Sequence, residues 1–345
     1  MSVPRQALTR ALRRASAAAL GGPLTGGNPR VGCAIVDDEG RVLALGYHRG
    51  AGTPHAEVDA LAQVDASAVR GATAVVTLEP CNHVGRTGPC ALALAQAGLA
   101  RVIYAVSDPN GQASGGARAL GERGIRVETA AEAGIDAPAI EEAQELSRQW
   151  RRAVTRQRPW TIGKSAMSAD GYVAAVDGTS QWITSRDSRE HAHTVRAQVD
   201  AIIVGTGTVF ADNPTLSART PTGEDLPYQP RVYVVGLREI PSTYTLALSG
   251  ATLLRTRDLE AVLARCYADG ARRILLEGGP TLLGAALARN LVDEWHCYRA
   301  PTLLGEGTPA CVGLGVHSLS EAVQLKSIEE AHLGPDTFTR YEIRT

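Results

Sequence analysis

Three residues with soft ligand atoms, His55, Cys81 and Cys90, could together form one metal site. One imidazole and two thiolates make the ligand number of a catalytic zinc, which leaves the fourth coordination position to water. Glu57 lies two residues after His55 and is not needed as a ligand. A carboxylate at this place can take a proton from that water and deliver it to a leaving amine. These residues therefore predict a zinc site that hydrolyses a carbon–nitrogen bond.

The order of these residues follows a signature. His-Ala-Glu at residues 55–57 precedes Pro80 and Cys81, as in the H-x-E and P-C-x-x-C motifs of the zinc-dependent base deaminases. Eight residues, 82–89, separate the two cysteines instead of two. The pattern predicts a deaminase site in which Glu57 moves the proton.

The two cysteines could also serve a structural role. A structural zinc takes four protein ligands, and His83 is the nearest further candidate. A disulfide between Cys81 and Cys90 would need an oxidising compartment, and we expect no secretory signal. Burial of cysteine as a small apolar residue is common, but it does not account for the His-x-Glu pair or the Glu79-Pro80 dipeptide before Cys81. We favour the catalytic zinc.

The length and composition limit the kind of protein. The chain has 345 residues, which suggests two domains, and its hydrophobic content of 44% and charged content of 21% are those of a globular protein. A net charge of −1 implies no polyanionic partner, and 4% aromatic residues argue against stacking on single-stranded nucleic acid. No apolar run approaches the roughly 18 residues of a membrane span. We expect a cytoplasmic protein with small-molecule substrates and neither nucleic acid nor membrane as a partner.

The N-terminal stretch has a basic composition. Residues 1–36 contain no acidic residue, and their arginines are Arg5, Arg10, Arg13, Arg14 and Arg30. Transit peptides share this composition. Leu8, Leu12 and the alanines around them instead fall on one face of a helix. We favour an amphipathic first helix over residues 4–20.

The first half of the chain alternates between strand and helix patterns. We predict strands over residues 31–36, 41–47, 73–78 and 102–106, and further helices over residues 55–63, 90–97 and 117–123. The first two strands should form a hairpin around residues 37–40. The alternation predicts an α/β fold with a doubly wound sheet, whose ligands lie at the carboxyl ends of its strands.

A boundary is expected between residues 146 and 159. A helix that begins near Pro138 should end in the arginine-rich stretch 147–158 and be followed there by a linker. This linker divides the chain into domains 1–147 and 158–345.

Further strands are predicted in the second domain, over residues 160–164, 201–204, 231–235 and 273–276. Gly205 and Gly207 suggest a dinucleotide fingerprint, but Phe210 occupies the third glycine position. Residues 277–281 open a predicted helix through residue 288, as either an anion site or a plain turn.

Motifs along nearly the whole chain resemble those of one family. In the first half they are residues 28–33 (NPRVGC), 46–48 (GYH), 55–58 (HAEV), 77–90 (TLEPCNHVGRTGPC) and 108–110 (DPN). In the second half they are residues 164–171 (KSAMSADG), 180–185 (SQWITS), 196–198 (RAQ), 208–214 (TVFADNP), 277–281 (EGGPT), 291–294 (LVDE) and 301–305 (PTLLG). The chain resembles the bifunctional deaminase–reductases of riboflavin biosynthesis.

For the first domain the resemblance implies a cytidine-deaminase-like fold. It implies deamination of 2,5-diamino-6-(5-phosphoribosylamino)pyrimidin-4(3H)-one, with Zn²⁺ held by His55, Cys81 and Cys90 and the proton moved by Glu57. The substrate-contacting residues implied in this domain are Asn28, His48, His83, Arg86, Asp108 and Asn110.

For the second domain the resemblance implies a dihydrofolate-reductase-like fold that uses NADPH to reduce the ribosyl group of the deaminated product to ribityl. The implied cofactor contacts are Ala166, Trp182, Thr208, Asp212, Gly279, Pro280, Thr281, Leu282, Leu283, Gly284 and Ala285. The implied substrate contacts are Lys164, Ser180, Arg196, Leu216, Arg219 and Glu277. The resemblance further implies a homodimer formed through this domain.

The chain departs from the family pattern at several positions. Asn82 and Gly88 stand where the family usually has Ser and Pro, and Thr302 replaces a common lysine. The family's usual Asp after the strand that ends near Val235 is missing. None of these departures falls on a predicted zinc ligand or on Glu57, and the last two put contacts in the reductase domain in doubt.

Overall fold

The computed structural model describes residues 3–83, 88–111 and 113–344. The chain forms two compact units, Met1–Gln157 and Arg158–Thr345. Each unit is an α/β structure built around one main sheet. No helix among the described residues is both long enough and apolar enough to cross a bilayer.

The sheet of the first unit is mixed. Its strands are β1 (Gly32–Val36), β2 (Val42–Tyr47), β3 (Thr73–Val76), β4 (Arg101–Tyr104) and β5 (Arg126–Thr129), in the order β2-β1-β3-β4-β5. The turn between β1 and β2 is too short for a crossover, so these strands pair antiparallel as predicted. Strands β3, β4 and β5 run parallel. Four of the five strands lie where the sequence predicts them.

Helices cover both faces of this sheet, which agrees with the predicted doubly wound arrangement. They are α1 (Arg5–Ala19), α2 (Ala56–Leu61), α3 (Ala66–Val69), α4 (Cys90–Gln96), α5 (Gly116–Gly121) and α6 (Ala137–Arg156). Helices α1 and α6 pack on the face that carries Ala34, whereas α2, α4 and α5 pack on the face that carries Cys33 and Ile35. Strand β1 is buried throughout because its alternate residues face opposite helical layers.

Two helices decide points that the sequence left open. The basic N-terminal stretch is helix α1, and its Leu8 and Leu12 are fully buried in the first unit. The arginine-rich stretch after Leu146 is helical up to Arg156, where a linker was expected. Its arginines share the helix with buried Ser147 and Ala153, so the stretch is amphipathic. Gln157, with a φ of 52°, ends the helix in the left-handed conformation.

The second unit contains a larger sheet. Its strands are β6 (Trp160–Met167), β7 (Tyr172–Ala174), β8 (Ala201–Gly205), β9 (Arg231–Val235), β10 (Thr252–Leu254), β11 (Arg273–Leu276), β12 (Glu294–Arg299), β13 (Thr308–Pro309), β14 (Leu325–Leu333) and β15 (Asp336–Ile343). The main sheet has the order β10-β9-β8-β11-β6-β12-β15-β14, and β7 pairs with β13. The run from β10 to β12 is parallel, so these strands end at one edge of the sheet.

The helices of the second unit also lie on both faces of its sheet. They are α7 (Arg186–Arg196), α8 (Thr206–Asp212), α9 (Thr245–Leu248), α10 (Leu259–Ala268) and α11 (Pro280–Leu287), with a 3₁₀ turn at Leu319–Glu321. Helices α10 and α11 share one apolar cluster with β11, and α7, α8 and α9 contribute to the other. Helix α11 begins at Pro280, so the preceding glycines form the loop between β11 and the helix.

Candidate active sites

The predicted zinc ligands meet at the ends of three elements. His55 is the N-cap of α2, Cys81 follows β3, and Cys90 is the first residue of α4. His55 Nδ1 lies 3.5 Å from Cys81 Sγ and 3.2 Å from Cys90 Sγ, and all three ligand atoms are within 4.8 Å of one another. Two thiols and one imidazole at these distances fit the donor set and spacing of zinc. The described residues add no fourth ligand, and every cysteine is free.

The two thiols differ in acidity. A hydrogen bond with Cys90 is the main cause that lowers the pKa of Cys81 to about 4, and the same interaction raises the pKa of Cys90. The backbone N–H of Cys90 also donates to Cys81 Sγ at 3.4 Å. This N–H belongs to the first turn of α4, whose N-terminal end favours negative charge. The geometry therefore makes Cys81 the readier thiolate.

Glu57 lies in the first turn of α2, beside the ligand cluster. It is only 3% exposed, and burial raises the pKa of its carboxyl. A raised pKa makes the ionised carboxyl a stronger base, which suits a group that takes up and returns a proton. The start of α2 packs closely against β2. Gly46 of β2 allows this approach, because a Cβ there would clash with the carbonyl oxygen of Ala56. The sheet thus fixes His55 and Glu57 together.

His48 and Asn28 form a hydrogen-bonded pair near the ligand cluster. His48 Nδ1 lies 3.1 Å from the carbonyl oxygen of Pro54, so Nδ1 donates and Nε2 accepts from Asn28 Nδ2 at 3.0 Å. The His48 ring also lies edge-on to His55, at 5.2 Å between centroids. Burial lowers the pKa of His48, in agreement with a neutral ring. Both ring nitrogens of His48 are thereby engaged within the protein.

Glu79 fixes the loops that follow Cys81 in the fold, a role that the sequence motif did not reveal. Its carboxylate accepts from the backbone N–H groups of Asp108, Gly115 and Ala117 at 3.1 to 3.3 Å. It therefore joins the end of β3 to the loop after β4 and to the start of α5. The sequence feature that could have predicted this role is an acidic residue directly after a buried strand. An unpaired charge there would be costly, so the carboxylate needs hydrogen-bond partners.

The remaining predicted substrate contacts of the first site differ in their burial and in their hydrogen bonds. Asp108 Oδ1 accepts from the backbone N–H of Asn110 at 2.8 Å, and burial raises the pKa of Asp108. His83 Nδ1 is buried without a hydrogen-bond partner among the described residues. Asn82 is exposed, and Arg86 lies outside the described residues.

A cavity of about 910 Å³ lies at the carboxyl ends of the parallel strands in the second unit. The predicted residues that line it are Lys164, Ala166, Ser180, Trp182, Arg196, Thr208, Asp212, Leu216, Arg219, Glu277, Gly279, Pro280, Thr281, Leu282 and Ala285. Leu283 and Gly284 do not line it. Leu283 is buried in the apolar core, and Gly284 faces the backbone of Val312. Helix periodicity turns these two positions of α11 away from the cavity.

Three charged residues meet in this cavity. Arg196 binds both oxygens of Glu277, at 2.8 and 2.7 Å, and Lys164 Nζ lies 3.4 Å from Oε1. Burial by itself would raise the pKa of Glu277, but the charges of Arg196 and Lys164 lower it to about 2. Glu277 is therefore a fixed carboxylate that orients two cations.

Helices α8 and α11 start side by side at the cavity wall. A Cβ on Gly279 would lie 3.4 Å from Thr208 Oγ1, so the two turns approach closely. Backbone N–H groups at such turns favour phosphate oxygens. Trp182 is 69% exposed and lies 4.5 Å from the Arg189 guanidinium. The cavity lining therefore combines anion-binding backbone with a planar ring, both of which suit a dinucleotide.

Comparison with known proteins gives the family. The family model of the RibD C-terminal domain matches residues 159–338. The family model of the cytidine and deoxycytidylate deaminase zinc-binding region matches residues 5–106. The riboflavin biosynthesis protein RibD of Corynebacterium ammoniagenes is 43% identical over 285 residues, which cover 82% of each chain. The chain belongs to the RibD family. Family membership makes it a bifunctional enzyme with a zinc-binding deaminase domain and an NADPH-using reductase domain.

Solved RibD structures share the whole architecture. RibD of Acinetobacter baumannii has a TM-score of 0.89 and 32% identity, and it covers 99% of this chain and 100% of its own. A Thermotoga maritima protein described as a diaminohydroxyphosphoribosylaminopyrimidine deaminase/5-amino-6-(5-phosphoribosylamino)uracil reductase has a TM-score of 0.81 and 25% identity, with 99% of both chains covered. The predicted fold class, a cytidine-deaminase-like domain followed by a dihydrofolate-reductase-like domain, is confirmed.

Replacement of one ligand tests the zinc site. The Cys81→Ser protein should lose most of its zinc, because a hydroxyl is a much weaker zinc ligand than a thiolate. Elemental analysis of the purified protein measures the metal content, with circular dichroism to check folding. Cys311→Ser in the second unit is the matched control and should retain zinc. Full zinc occupancy in folded Cys81→Ser protein would contradict the ligand assignment.

Proposed function

We propose that this RibD-family chain deaminates 2,5-diamino-6-(5-phosphoribosylamino)pyrimidin-4(3H)-one and then reduces the ribosyl group of the resulting 5-amino-6-(5-phosphoribosylamino)uracil to ribityl. The observation that carries the first step is the buried carboxyl of Glu57 beside the cluster of His55, Cys81 and Cys90. We assign deamination to residues 1–147 and reduction to residues 158–345.

In the deaminase site, His55, Cys81 and Cys90 would hold the zinc. The bound metal supplies a Lewis acid that lowers the pKa of a water molecule to about 7. Glu57 takes a proton at its carboxylate and delivers it to the departing amine, and its burial keeps competing solvent away. Asn28, held by its hydrogen bond to His48, presents an amide to the pyrimidine.

The other deaminase contacts are proposals of the same kind. Asp108, Asn110 and His83 follow the strand ends near Cys81, and we propose that they bind the pyrimidine and the sugar. The unpartnered Nδ1 of His83 supports this role, because a buried polar atom gains a hydrogen bond when the ligand arrives. We propose Arg86 as a phosphate contact, since a guanidinium pairs with two oxygens.

In the reductase site, Arg196, Arg219 and Lys164 supply the positive charge for a phosphorylated sugar. Glu277 holds Arg196 and Lys164 in fixed orientations through its two oxygens. The cofactor would bind against Trp182 and the starts of α8 and α11, which all line the cavity, and would supply a hydride.

Two assays on one protein preparation test this function. The zinc-loaded protein should release ammonia from the diaminopyrimidine, and NADPH should be oxidised only after that release. The aminouracil should support NADPH oxidation directly, with no ammonia formed. Oxidation of NADPH by the diaminopyrimidine without ammonia release would contradict the proposed order.

We further propose that Arg257 binds the 2′-phosphate of NADPH. Arg257 lies after β10, lines the cavity, and has no ion pair within the described residues. Arg257→Ala should therefore raise the KM for NADPH about tenfold or more and change the KM for NADH little, since a charge-assisted hydrogen bond contributes about 1.5–3 kcal/mol. Initial rates with both cofactors measure this. Arg255→Ala is the matched control, because Arg255 pairs with Glu239 outside the cavity. An equal rise for both cofactors would contradict the assignment.

The assembly and the cellular location stay predictions. We propose a homodimer formed through the second unit and a cytoplasmic location, both by analogy with the family. Light scattering of the purified protein measures the mass, and a monomer at assay concentration would contradict the dimer.

A further inference from the structure

His193 is a cavity residue to which the family resemblance assigned no role. It lies on α7 one turn before Arg196 and lines the reductase cavity with Glu277 and Arg219. His193 Nδ1 lies 3.0 Å from the carbonyl oxygen of Ser217, which also accepts from Arg196 Nη1 at 3.1 Å. The histidine is therefore tied by a shared acceptor to the ion network at the centre of the site.

The contact with Ser217 decides the tautomer of His193. A carbonyl oxygen only accepts, so Nδ1 carries the proton and Nε2 has the free lone pair. No hydrogen bond occupies Nε2 among the described residues. The ring is half-buried at the cavity wall, so this nitrogen is the part of His193 that can exchange a proton with a bound substrate.

The other titratable groups of the cavity have ordinary pKa values far from neutral pH, and they are Lys164, Asp212, Glu277, Tyr298 and the arginines. The arginines stay protonated, and the neighbouring cations hold Glu277 as a carboxylate with a pKa of about 2. Burial raises the pKa of Tyr298, so its hydroxyl stays protonated. Lys164 is paired with Glu277. His193 is the lining residue whose ordinary pKa lies nearest to 7.

The surroundings of His193 respond to the substrate. Burial and the charge of Arg196 lower the pKa of His193, Glu277 acts in the opposite direction, and Arg219 adds a further cation. A substrate phosphate bound by Arg196 and Arg219 would offset their charges. The pKa of His193 would then rise when the phosphorylated substrate binds. A larger fraction of the ring would be protonated in the complex with substrate than in the free protein.

We propose that His193 is the catalytic acid of the reductase site and opens the ribose ring. In this step, which rests on the proposed reductase function, Nε2–H of protonated His193 gives its proton to the ring oxygen O4′. The C1′–O4′ bond breaks, and the lone pair of the exocyclic nitrogen forms a C1′=N⁺ bond. His193 is left neutral and is reprotonated by solvent. C1′ becomes the electrophilic carbon that accepts the hydride.

Replacement of His193 by asparagine isolates the proton transfer. The amide N–H₂ of the His193→Asn protein can still donate to the Ser217 carbonyl, but the variant has no titrating nitrogen. With 5-amino-6-(5-phosphoribosylamino)uracil and NADPH, kcat should fall by about 10²–10⁴-fold, the usual contribution of a general acid. NADPH affinity, measured by fluorescence titration, should not change. The parent kcat/KM should fall as the pH rises through the pKa of His193, and the variant should lack this fall.

The controls separate this inference from the proposed function. His332→Asn, at an exposed position of β14, should behave as the parent protein. An active parent with a His193→Asn variant of equal rate and equal pH dependence would overturn the role of His193 and leave the reductase function intact. A parent that never oxidises NADPH with this substrate would overturn both. Nitrogen-15 NMR of the parent, which needs no variant to fold, should find Nδ1 protonated, and the opposite tautomer would also overturn the proposal.

Discussion

The Glu57→Gln protein is expected to bind zinc and to release almost no ammonia. Glutamine keeps the volume of the side chain and leaves His55, Cys81 and Cys90 unchanged, but it cannot accept and return a proton. Glu57 is nearly fully buried, so no bulk water can replace it directly. General acid–base groups contribute about 10²–10⁴-fold, and the rate of ammonia release should fall by at least that order.

The same variant should keep its reductase activity. The cavity that contains Arg196 and Glu277 belongs to the second unit, and the mutation changes nothing there. NADPH oxidation with the pre-deaminated aminouracil should therefore continue near the parent rate. Glu122→Gln, at the exposed C-cap of α5, is the matched control and should retain both activities. A folded, zinc-loaded Glu57→Gln protein that loses both activities equally would show that the two reactions are coupled.

The Glu277→Gln protein is expected to be less stable than the parent by about 3 kcal/mol near neutral pH. The side chain of Glu277 is only 10% exposed and compensates the charges of Arg196 and Lys164. Breaking a buried ion pair leaves an uncompensated charge. A pKa that falls from 4.5 to about 2 on folding corresponds to a contribution of similar size.

The pH dependence of stability provides the sharper measurement. A carboxyl with a lowered pKa in the folded protein stabilises it above the unfolded pKa, so this contribution is complete above about pH 4.5 and is lost as the pH falls towards 2. The difference in unfolding free energy between parent and Glu277→Gln should shrink over that interval. Urea denaturation of the full-length parent and variant proteins at several pH values measures this difference in unfolding free energy.

A surface pair supplies the control for this prediction. Glu190 bonds Arg186 at 2.6 Å on α7, but the arginine is 73% exposed. Exposed pairs contribute about 0–1 kcal/mol, so Glu190→Gln should change stability little at any pH. A constant difference between parent and Glu277→Gln from neutral pH down to pH 2 would contradict the assigned charge state of Glu277.

Local patterns in the sequence were sufficient for most elements of the fold. Strands β3, β8, β9 and β11 are short and largely apolar runs, and such runs have few alternatives once helices flank them. The candidate zinc ligands could be predicted for a similar reason, because ligand chemistry requires particular residue types in a particular order, and the structure brings these residues together. The end of α6 was predicted poorly, since an arginine-rich stretch can be linker or solvated helix, and the packing of Ser147 and Ala153 decides between them.

The sequence by itself determined the two-domain α/β architecture, the candidate zinc cluster and the family, because these depend on residue type, order and periodicity. Only the tertiary structure decided which side chains act together. The pairing of Asn28 with His48 joins residues 20 positions apart, and that of His193 with the carbonyl of Ser217 joins residues 24 positions apart. Orientation of a side chain in a cavity depends on the helix face, which placed Leu283 in the core. Such contacts depend on packing between elements, and no local pattern of residues encodes that packing.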